Sequence, residues 1–286
     1  MKFISVILFL FIWGHACNSQ PGNQSKTELI ACEDDTLRVE NKLMQFTPDR
    51  KLPTGELLIK IGKTFLGTPY VSYTLENGEA ERLVVNLREL DCTTFDETCL
   101  ALARTIKSGK TDFGSYANEL ERIRYRGGHR DGYLSRLHYF SDWLLDNAQK
   151  GIISPLDNTF QEPWQKTINF MSTHPDSYQL LKNNPEMIRE IAAHEQRISS
   201  SNHFYIPKEE LETKEKFLKN GDLIGITTSI AGLDIAHVGF VVWVDGRVHM
   251  LHASSVLEKV VISDVPLSDY LATKKSFTGI MLARAN

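Results

Sequence analysis

Cys92 is the residue of this chain best placed for chemistry, because it stands at the start of a predicted helix. The helix follows from the stretch Asp91-Cys92-Thr93-Thr94-Phe95 and from apolar residues that recur at helical spacing as far as Lys107, namely Phe95, Cys99, Leu102 and Ile106. A thiol in the first turn is close to free backbone N–H groups and to the positive end of the helix dipole, and both favour the thiolate. Asp91 and the threonines are suited to cap such a helix. Cys92 is therefore a candidate nucleophile.

The alternative is that Cys92 is a small core residue, since free cysteines are often buried. Cys99 lies on the same stripe two turns deeper, and we interpret it as a packing residue. The two thiols are separated by roughly 10 Å along the helix, which is too far for a disulfide. Other residues of the chain are needed to distinguish a catalytic Cys92 from a packing one.

Two histidines lie on a predicted β-hairpin whose turn is Asp245-Gly246, a strong hairpin signal. His237 opens the first strand and His252 lies near the end of the second, so the hairpin should bring them side by side. Alternation places His252 on the apolar face of its strand and His249 on the opposite face. We expect His237 and His252 to point inward and His249 to point outward.

Together these residues could carry out thiol catalysis. Cys92 would be the nucleophile, His237 would take its proton and later deliver it to the leaving amine, and His252 would orient His237. The backbone N–H of Cys92 would help to bind the oxyanion. Each histidine alone is more often a satisfied core or surface residue. The combination with a cysteine at a helix start favours the catalytic interpretation.

The elements that must position these residues predict an α+β domain, with an antiparallel sheet after the nucleophile helix. Thr54 is expected to cap an earlier helix, whose buried face comprises Leu57, Leu58, Ile61 and Phe65. Residues 71–75 and 82–87 are predicted as short strands or extended segments. The carboxyl third is strand-rich, with strands predicted over residues 223–228, 237–244, 247–253 and 277–283.

Residues 112–221 separate the nucleophile helix from the strands and are predicted to be mainly helical. Ser141 can cap a helix that runs toward Gly151, and Asn184-Pro185 opens another. The part around Arg124 to Tyr139 is dense in charged and aromatic residues. Mixed charge of this kind is also typical of a salt-bridged surface helix.

The composition is that of an ordinary globular protein: 286 residues, 42% hydrophobic and 24% charged, with a net charge of −4. We expect no nucleic-acid partner, because the charge is mildly acidic and no long basic run occurs. No His-Glu-x-x-His or similar ligand spacing is present, so we predict neither a metal nor another cofactor. We expect a monomer.

The amino end predicts export. Residues 1–16 are typical of a signal peptide: Lys2 is followed by an apolar run over residues 3–13, too short to span a bilayer, and then by small residues. Cys17 follows directly, so a lipid anchor at Cys17 is an alternative to free release into the periplasm. Residues 17–36 are predicted as a polar linker, and residues 37–286 as a single domain.

Several motifs resemble those of the NlpC-type cell-wall hydrolases, which are papain-like cysteine hydrolases. They occur in the family's order: Gly67-Thr68-Pro69-Tyr70, Asp91-Cys92-Thr93-Thr94-Phe95, Gly221-Asp222-Leu223, His237-Val238-Gly239-Phe240 and His252-Ala253-Ser254. The stretches from Asn86 to Phe95 and from Ser135 to Tyr139 resemble the N-acetylmuramoyl-L-alanine amidase-like branch found in Bacteroidetes. The resemblance covers roughly residues 55–286.

The resemblance implies a papain-like core, in which a nucleophile helix packs on an antiparallel sheet, with an insertion over residues 112–221. Cys92, His237 and His252 match the family's nucleophile, base and third polar residue, and Tyr70 matches a tyrosine that assists the oxyanion. The position of the insertion implies substrate contacts by four residues, Arg126, Ser135, Arg136 and His138. An arginine fork would suit the carboxylates of a muropeptide.

The implied reaction is hydrolysis of the amide between the lactyl group of N-acetylmuramic acid, in its anhydro form as one option, and L-alanine. Thr93 and Thr94 stand where the wider family has serine and glycine, and the two histidines are further apart than usual, which disfavours endopeptidase specificity. Three alternatives remain open: cleavage between D-glutamate and the diamino acid, an inactive peptidoglycan-binding protein, and a metal hydrolase.

Overall fold

The structure, a computed structural model, describes residues 29–286 apart from residues 77, 79 and 157. The helices of this part are α1 (Glu33–Phe46), α2 (Thr54–Lys63), α3 (Cys92–Lys107), α4 (Phe113–Arg124), α5 (Phe140–Gln149), α6 (Phe170–Thr173), α7 (Pro185–Ser200), α8 (Leu211–Lys214) and α9 (Leu267–Ala272). The strands are β1 (Leu29–Ile30), β2 (Leu83–Val84), β3 (Ile153–Pro155), β4 (Glu162–Trp164), β5 (His203–Pro207), β6 (Leu223–Thr228), β7 (Ile235–Val244), β8 (Arg247–Ser254), β9 (Lys259–Ile262) and β10 (Phe277–Ala285).

Most strands join one antiparallel sheet, as the α+β prediction requires. Its order is β4-β5-β10-β6-β7-β8-β9, and β3 also pairs with β10. The predicted hairpin is β7–β8, with Phe240 opposite Leu251. Asp245 and Gly246 both have positive φ, 47° and 81°, as a two-residue type I′ turn demands. The strands predicted in the carboxyl third are confirmed as β6, β7, β8 and β10.

Helix α3 packs on the face of the sheet that carries Phe240 and Leu251. Its predicted stripe is confirmed, since Phe95, Cys99, Leu102 and Ile106 are all at most 1% exposed. Phe95 meets the Phe240 ring edge-on, with the ring centroids 5.8 Å apart. This packing fixes the start of α3 against the hairpin, because α3 cannot rotate without exposing the stripe.

Regular secondary structure begins inside residues 17–36, the segment predicted to be a polar linker. Strand β1 pairs with β2, and α1 starts at Glu33, within the segment that the polar composition assigns to a linker. The reason is Asp35, a buried residue whose carboxylate accepts the backbone N–H of Leu87 at 2.9 Å and faces Arg88 at 3.3 Å. The polar composition predicts solvent exposure here, but the Asp35 side chain is bonded to the loop that precedes α3.

Four other local predictions need correction. Thr54 is the first residue of α2 rather than its cap, which is Pro53, and Phe65 is buried but lies beyond the end of α2. Residues 71–75 form turns and no strand. Ser141 lies inside α5 and donates to Asp234 at 2.9 Å instead of capping the helix. The prediction for α7 is confirmed, because the Asn184 side chain accepts the N–H of Met187.

Residues 112–221 do not form a separate layer. They supply β5 and β3, which both pair with β10 on the edge opposite β6, and β4, which extends the sheet beyond β5. The register joins Ile206 to Ile280 and Pro155 to Ala283. The segment therefore completes the sheet as well as covering it with helices.

The predicted signal peptide and Cys17 lie outside the described residues. Within residues 29–286, apart from the three omitted positions, no helix is both long and apolar enough to cross a membrane.

Candidate active site

Cys92 is the first residue of α3, and a complete capping box holds it there. The Asp91 carboxylate accepts the backbone N–H of Thr94 at 2.7 Å, and the Thr94 hydroxyl accepts the N–H of Asp91 at 2.9 Å. These bonds satisfy two polar groups that a helix start otherwise leaves free. The Cys92 thiol turns toward β7, where it receives a hydrogen bond from the backbone N–H of Val238.

His237 and His252 touch, as the hairpin predicts. Nε2 of His237 lies 2.6 Å from Nδ1 of His252, and the two rings are nearly perpendicular at 87°. Gly239 makes this contact feasible. A Cβ atom on Gly239 would lie 2.7 Å from the Leu251 carbonyl oxygen and 2.9 Å from the Cβ of His252, closer than atoms normally approach.

The prediction that His249 points outward is wrong. His249 is 8% exposed, and its Nδ1 bonds the Ser263 carbonyl at 2.7 Å. His249 shares its face of β8 with Leu251, on the side where α3 packs, and the Val248–Met250 side is packed against Leu267 and Leu271, so both faces of β8 are buried. The simple alternation of inward and outward positions assumes one solvated face, and β8 has none.

Cys92 lies where two lobes of one cleft meet. The apolar lobe, about 210 Å³, is lined by Leu137, Phe140, Trp143, Leu223, Leu233, Ile235 and Val238, and it also includes Asp96, Asp234 and His237. The arginine lobe, about 350 Å³, is lined by Tyr70, Tyr73, Glu76, Arg124 and Arg136, among others. Cys92, Thr93, Glu97, Leu137 and His138 border both lobes. Cys92 and His237 thus share the apolar lobe.

The Cys92 thiol is protonated at rest, contrary to the prediction of a stabilised thiolate. Burial, followed by the nearby carboxyl groups of Asp91 and Asp96, raises the pKa of Cys92 to about 12. The hydrogen bonds from Val238 and Thr93 lower it by less. The desolvation penalty on a charged sulfur outweighs the attraction of the helix start.

Both histidines are neutral at rest for the same reason. Burial, with the adjacent His252 and Lys274 adding to it, lowers the pKa of His237 to about 3. Burial alone lowers the pKa of His252 to about 4. A neutral imidazole has one nitrogen free to accept a proton. The cleft therefore holds a thiol together with a base that is unprotonated at neutral pH.

Tyr70 stands at the arginine-lobe side of Cys92. Its backbone N–H donates to the Glu258 carbonyl at 2.9 Å, which ties it to the loop after β8. Burial, and then the neighbouring Cys92, raises the pKa of Tyr70 to about 12. The phenol consequently keeps its proton and can donate a hydrogen bond into the cleft.

Of the four predicted substrate residues, the structure brings two to the cleft. Arg136 lines the arginine lobe and His138 borders both lobes. Arg126 is instead paired with Asp142, at 3.0 and 2.6 Å. Ser135 closes a turn by donating to the Gly132 carbonyl at 2.7 Å. Neither Arg126 nor Ser135 is among the described residues that line either lobe.

Both arginines that line the arginine lobe, Arg124 and Arg136, are paired with carboxylates of the protein. Arg136 bonds the carboxylate of Glu76 and lies 3.5 Å from that of Glu81. Arg124 bonds Glu97 at 2.7 Å, and both side chains are 3% exposed. These guanidinium groups are already neutralised by protein carboxylates, so the proposed carboxylate fork does not fit the geometry.

Two site residues escaped the sequence reasoning, Asp96 and Glu97. Asp96 follows Cys92 by one helical turn. A carboxyl group on an otherwise apolar helical stripe is unusual, so the sequence pattern could have identified Asp96 as a candidate site residue. Glu97 bridges Arg124 and the indole N–H of Trp143, which lies 3.2 Å from it. These two hydrogen bonds connect α3 to α4 and α5, and no local sequence pattern predicts them.

Residues 60–280 match the sequence profile of the AmiA-like, N-acetylmuramoyl-L-alanine amidase-like family. The chain belongs to this family. An N-acetylmuramoyl-L-alanine amidase from Bacteroides uniformis is 38% identical, with a TM-score of 0.78 over 82% of this chain and 99% of the other. The AmiA-like assignment makes the chain an amidase-like hydrolase of peptidoglycan.

Two further solved structures are similar. A proposed xylanase from Bacteroides fragilis is 41% identical, with a TM-score of 0.73 over 78% of this chain and 98% of the other. A Legionella pneumophila protein shares the fold at 22% identity, with a TM-score of 0.66 over 88% of this chain and 95% of the other. No curated protein matches the chain. Among the described residues of this AmiA-like protein, no three His, Cys, Asp or Glu side chains gather as metal ligands.

Proposed function

We propose that this AmiA-like protein is a cysteine amidase with a papain-like core, which cleaves the amide between N-acetylmuramic acid and L-alanine in muropeptides. The observation that carries the proposal is that Cys92, at the first position of α3, shares a cleft with the hydrogen-bonded pair His237–His252. The family and the Bacteroides uniformis relative supply the substrate class.

The first step follows from the protonation states. Nδ1 of His237 takes the Sγ proton as the sulfur attacks the carbonyl carbon of the amide, so that a C–S bond forms and the carbonyl oxygen becomes an oxyanion. Because thiol and imidazole are neutral at rest, charge separates only as the substrate reacts. The N–H of Cys92 and the Tyr70 hydroxyl are the donors that would hold the oxyanion.

The second half of the reaction returns the proton. His237 protonates the amine nitrogen of L-alanine as the C–N bond breaks, which leaves a thioester on Cys92 and a free peptide. Water then attacks the thioester, His237 accepts one of its protons, and the sulfur leaves and is reprotonated. The products are the muramic acid carboxylate and a peptide with a free amino terminus.

His252 determines which nitrogen of His237 acts. For Nδ1 of His237 to accept a proton, Nε2 must carry one, and it can donate that proton to Nδ1 of His252 at 2.6 Å. Nε2 of His252 then carries its own proton. This pairing would also support the imidazolium that forms during the attack.

A glycosidase, as the name of the Bacteroides fragilis relative suggests, fits the cleft less well. Such enzymes need one carboxylic acid and one ionised carboxylate flanking the bond. In this cleft Asp91 caps α3, and the two oxygens of Glu97 bond Arg124 and Trp143. No free ionised carboxylate of the described residues stands opposite Asp96 in the apolar lobe.

The decisive experiment is incubation of the purified protein with disaccharide-tetrapeptide muropeptides, in anhydro and reduced forms, with products identified by mass. We expect a free peptide that begins with L-alanine, and no product from the Cys92→Ala variant. Release of a disaccharide that retains L-alanyl-D-glutamate would establish the endopeptidase instead. No product from either form, with Cys92 inert to alkylation even at pH 9, would favour the binding protein.

We also propose that residues 1–16 direct export to the periplasm and that the protein acts as a monomer. Lipid attachment at Cys17 is the alternative to free release. Cell fractionation separates the two outcomes, because a lipid-anchored protein remains with the membranes and a Cys17→Ala variant does not.

A further inference from the structure

Asp96 is a buried carboxyl group without a partner. It lies one helical turn beyond Cys92 on α3 and is 3% exposed. Neither of its carboxyl oxygens has a hydrogen-bond partner, and the side chain lines the apolar lobe beside the proposed nucleophile. Buried polar groups are nearly always bonded, so an unbonded carboxyl at the wall of a cavity points to a partner inside that cavity.

The other carboxyl groups of the apolar lobe are already satisfied. Asp234 accepts the N–H and hydroxyl of Ser141 at 2.8 and 2.9 Å, and the N–H of Ile235 at 2.7 Å. Glu97 is bonded to Arg124 and Trp143. Asp96 is thus the carboxyl group of the described lobe that remains available to a ligand.

The remaining wall of the apolar lobe is uncharged. The rings of Phe140 and Trp143 stack with their planes 7° apart, and Leu137, Leu233 and Ile235 are among the other apolar lining residues. Burial, followed by the charges of Glu97 and Asp91, raises the pKa of Asp96 well above its usual range. A neutral carboxyl offers one O–H donor and acceptor capacity.

These properties select a neutral ligand group that combines a methyl or methylene with a carbonyl oxygen. A carboxylate of the ligand would be desolvated beside the carboxyl groups of Glu97 and Asp234, with no free cation of the described lining to balance it. The two sides of the proposed scissile bond differ in this respect. The stem peptide carries carboxylates, whereas the muramoyl side is uncharged and bears an acetamido group.

We propose that the apolar lobe is the subsite for the N-acetyl group of the muramoyl substrate, with the Asp96 carboxyl donating a hydrogen bond to the acetyl carbonyl. The methyl group would pack on the Phe140 and Trp143 rings. This assignment rests on the proposed amidase function. The apolar lobe has a volume of about 210 Å³, whereas one water molecule occupies roughly 30 Å³ in the liquid. The lobe can therefore accommodate an acetamido group with part of the sugar ring.

The test compares two substrates and three proteins. The substrates are an N-acetylmuramoyl-L-alanyl peptide and its counterpart with a hydroxyl group in place of the acetamido group. The proteins are wild type, Asp96→Leu, which removes the hydrogen-bonding groups but keeps a branched side chain, and Asp96→Asn, which keeps a donor and an acceptor. The readout is the ratio of kcat/KM for the two substrates.

We expect wild type to prefer the N-acetylated substrate by roughly 10- to 100-fold, since losing a matched polar contact in a buried site costs about that much. Asp96→Leu should collapse the preference toward one, and Asp96→Asn should keep most of it. The ratio is read within one protein, so a change in overall activity or folded fraction does not alter it.

Three outcomes would overturn the assignment. Equal cleavage of both substrates by wild type would refute the acetamido subsite and leave the amidase intact. An unchanged preference in Asp96→Leu would show that the carboxyl holds only water. Cleavage of neither substrate by wild type, under conditions that permit turnover of muropeptides at another bond, would refute the amidase itself and the subsite with it.

Discussion

Nε2 of His237 lies 2.6 Å from Nδ1 of His252, and both rings are buried. The contact occupies Nε2 of His237, so Nδ1 is the nitrogen of this ring that could accept a proton from a substrate or a thiol. It also orders the proton positions, since only one of the two nitrogens in contact can carry a proton when both rings are neutral. The pairing of these residues, more than the presence of either, makes His237 a candidate base.

Replacing His252 by phenylalanine should lower kcat by about 10²- to 10⁴-fold with little change in KM, because the His237 ring loses the partner that sets its tautomer. Phenylalanine retains the edge contact with the Tyr270 ring, whose centroid lies 5.7 Å from that of His252. Steady-state kinetics on a muropeptide provide the measurement. His249→Phe, on the opposite face of β8, is the matched control and should cost stability rather than kcat. Equal losses of kcat in both variants would contradict the positioning role.

Alkylation of Cys92 by iodoacetamide should be slow at neutral pH and should accelerate about tenfold per pH unit through pH 9. The reason is that the reactive thiolate is scarce far below a pKa of about 12. Mass mapping of the labelled peptide separates Cys92 from the other thiols. A preformed thiolate–imidazolium pair would instead give a rate that is already maximal and flat between pH 5 and 8, and this result would disprove the neutral resting state.

Breaking the buried pair Glu97–Arg124 from one side should be costly. Arg124→Met leaves the Glu97 carboxylate buried without its cation, and we expect a loss of about 3–5 kcal/mol in the free energy of unfolding. The double variant with Glu97→Gln should recover part of this loss, because no uncompensated charge remains. Urea unfolding at pH 7 measures both.

The surface pair Arg38–Asp34, with both side chains at least half exposed, is the control for this cycle. Removing either partner of that pair should change stability by less than about 1 kcal/mol. Strictly additive effects of Arg124→Met and Glu97→Gln would mean that the two side chains do not depend on each other.

Asp96→Asn should stabilise the protein more at pH 7.5 than at pH 4.5. The folded-state pKa of Asp96 is raised, so the unfolded chain ionises first as the pH rises above its ordinary value of 3.8, and the folded state loses relative stability. Asparagine does not ionise in either state and removes this pH-dependent loss. Chemical unfolding at the two pH values gives the comparison, and an equal effect at both would refute the raised pKa.

The sequence by itself determined the elements that carry the chemistry. The stripe from Phe95 to Ile106 and the capping residues around Cys92 define α3, and Asp245-Gly246 defines the hairpin that joins His237 to His252. These are local relationships. Helical spacing, capping and the conformation of a two-residue turn depend on residues a few positions apart, so the order of amino acids is enough to read them.

Only the tertiary structure decided which charged side chains are already paired within the protein and which remain available to a ligand. Arg126 pairs with Asp142 and Arg136 with Glu76, so neither presents the fork that its position in the sequence suggested. The Cys92 pKa rises instead of falling, because desolvation depends on every element packed around the sulfur and not on the helix start alone. Ion pairing and burial join residues distant in the chain, and that is why the protonation state of the site could be read only from the fold.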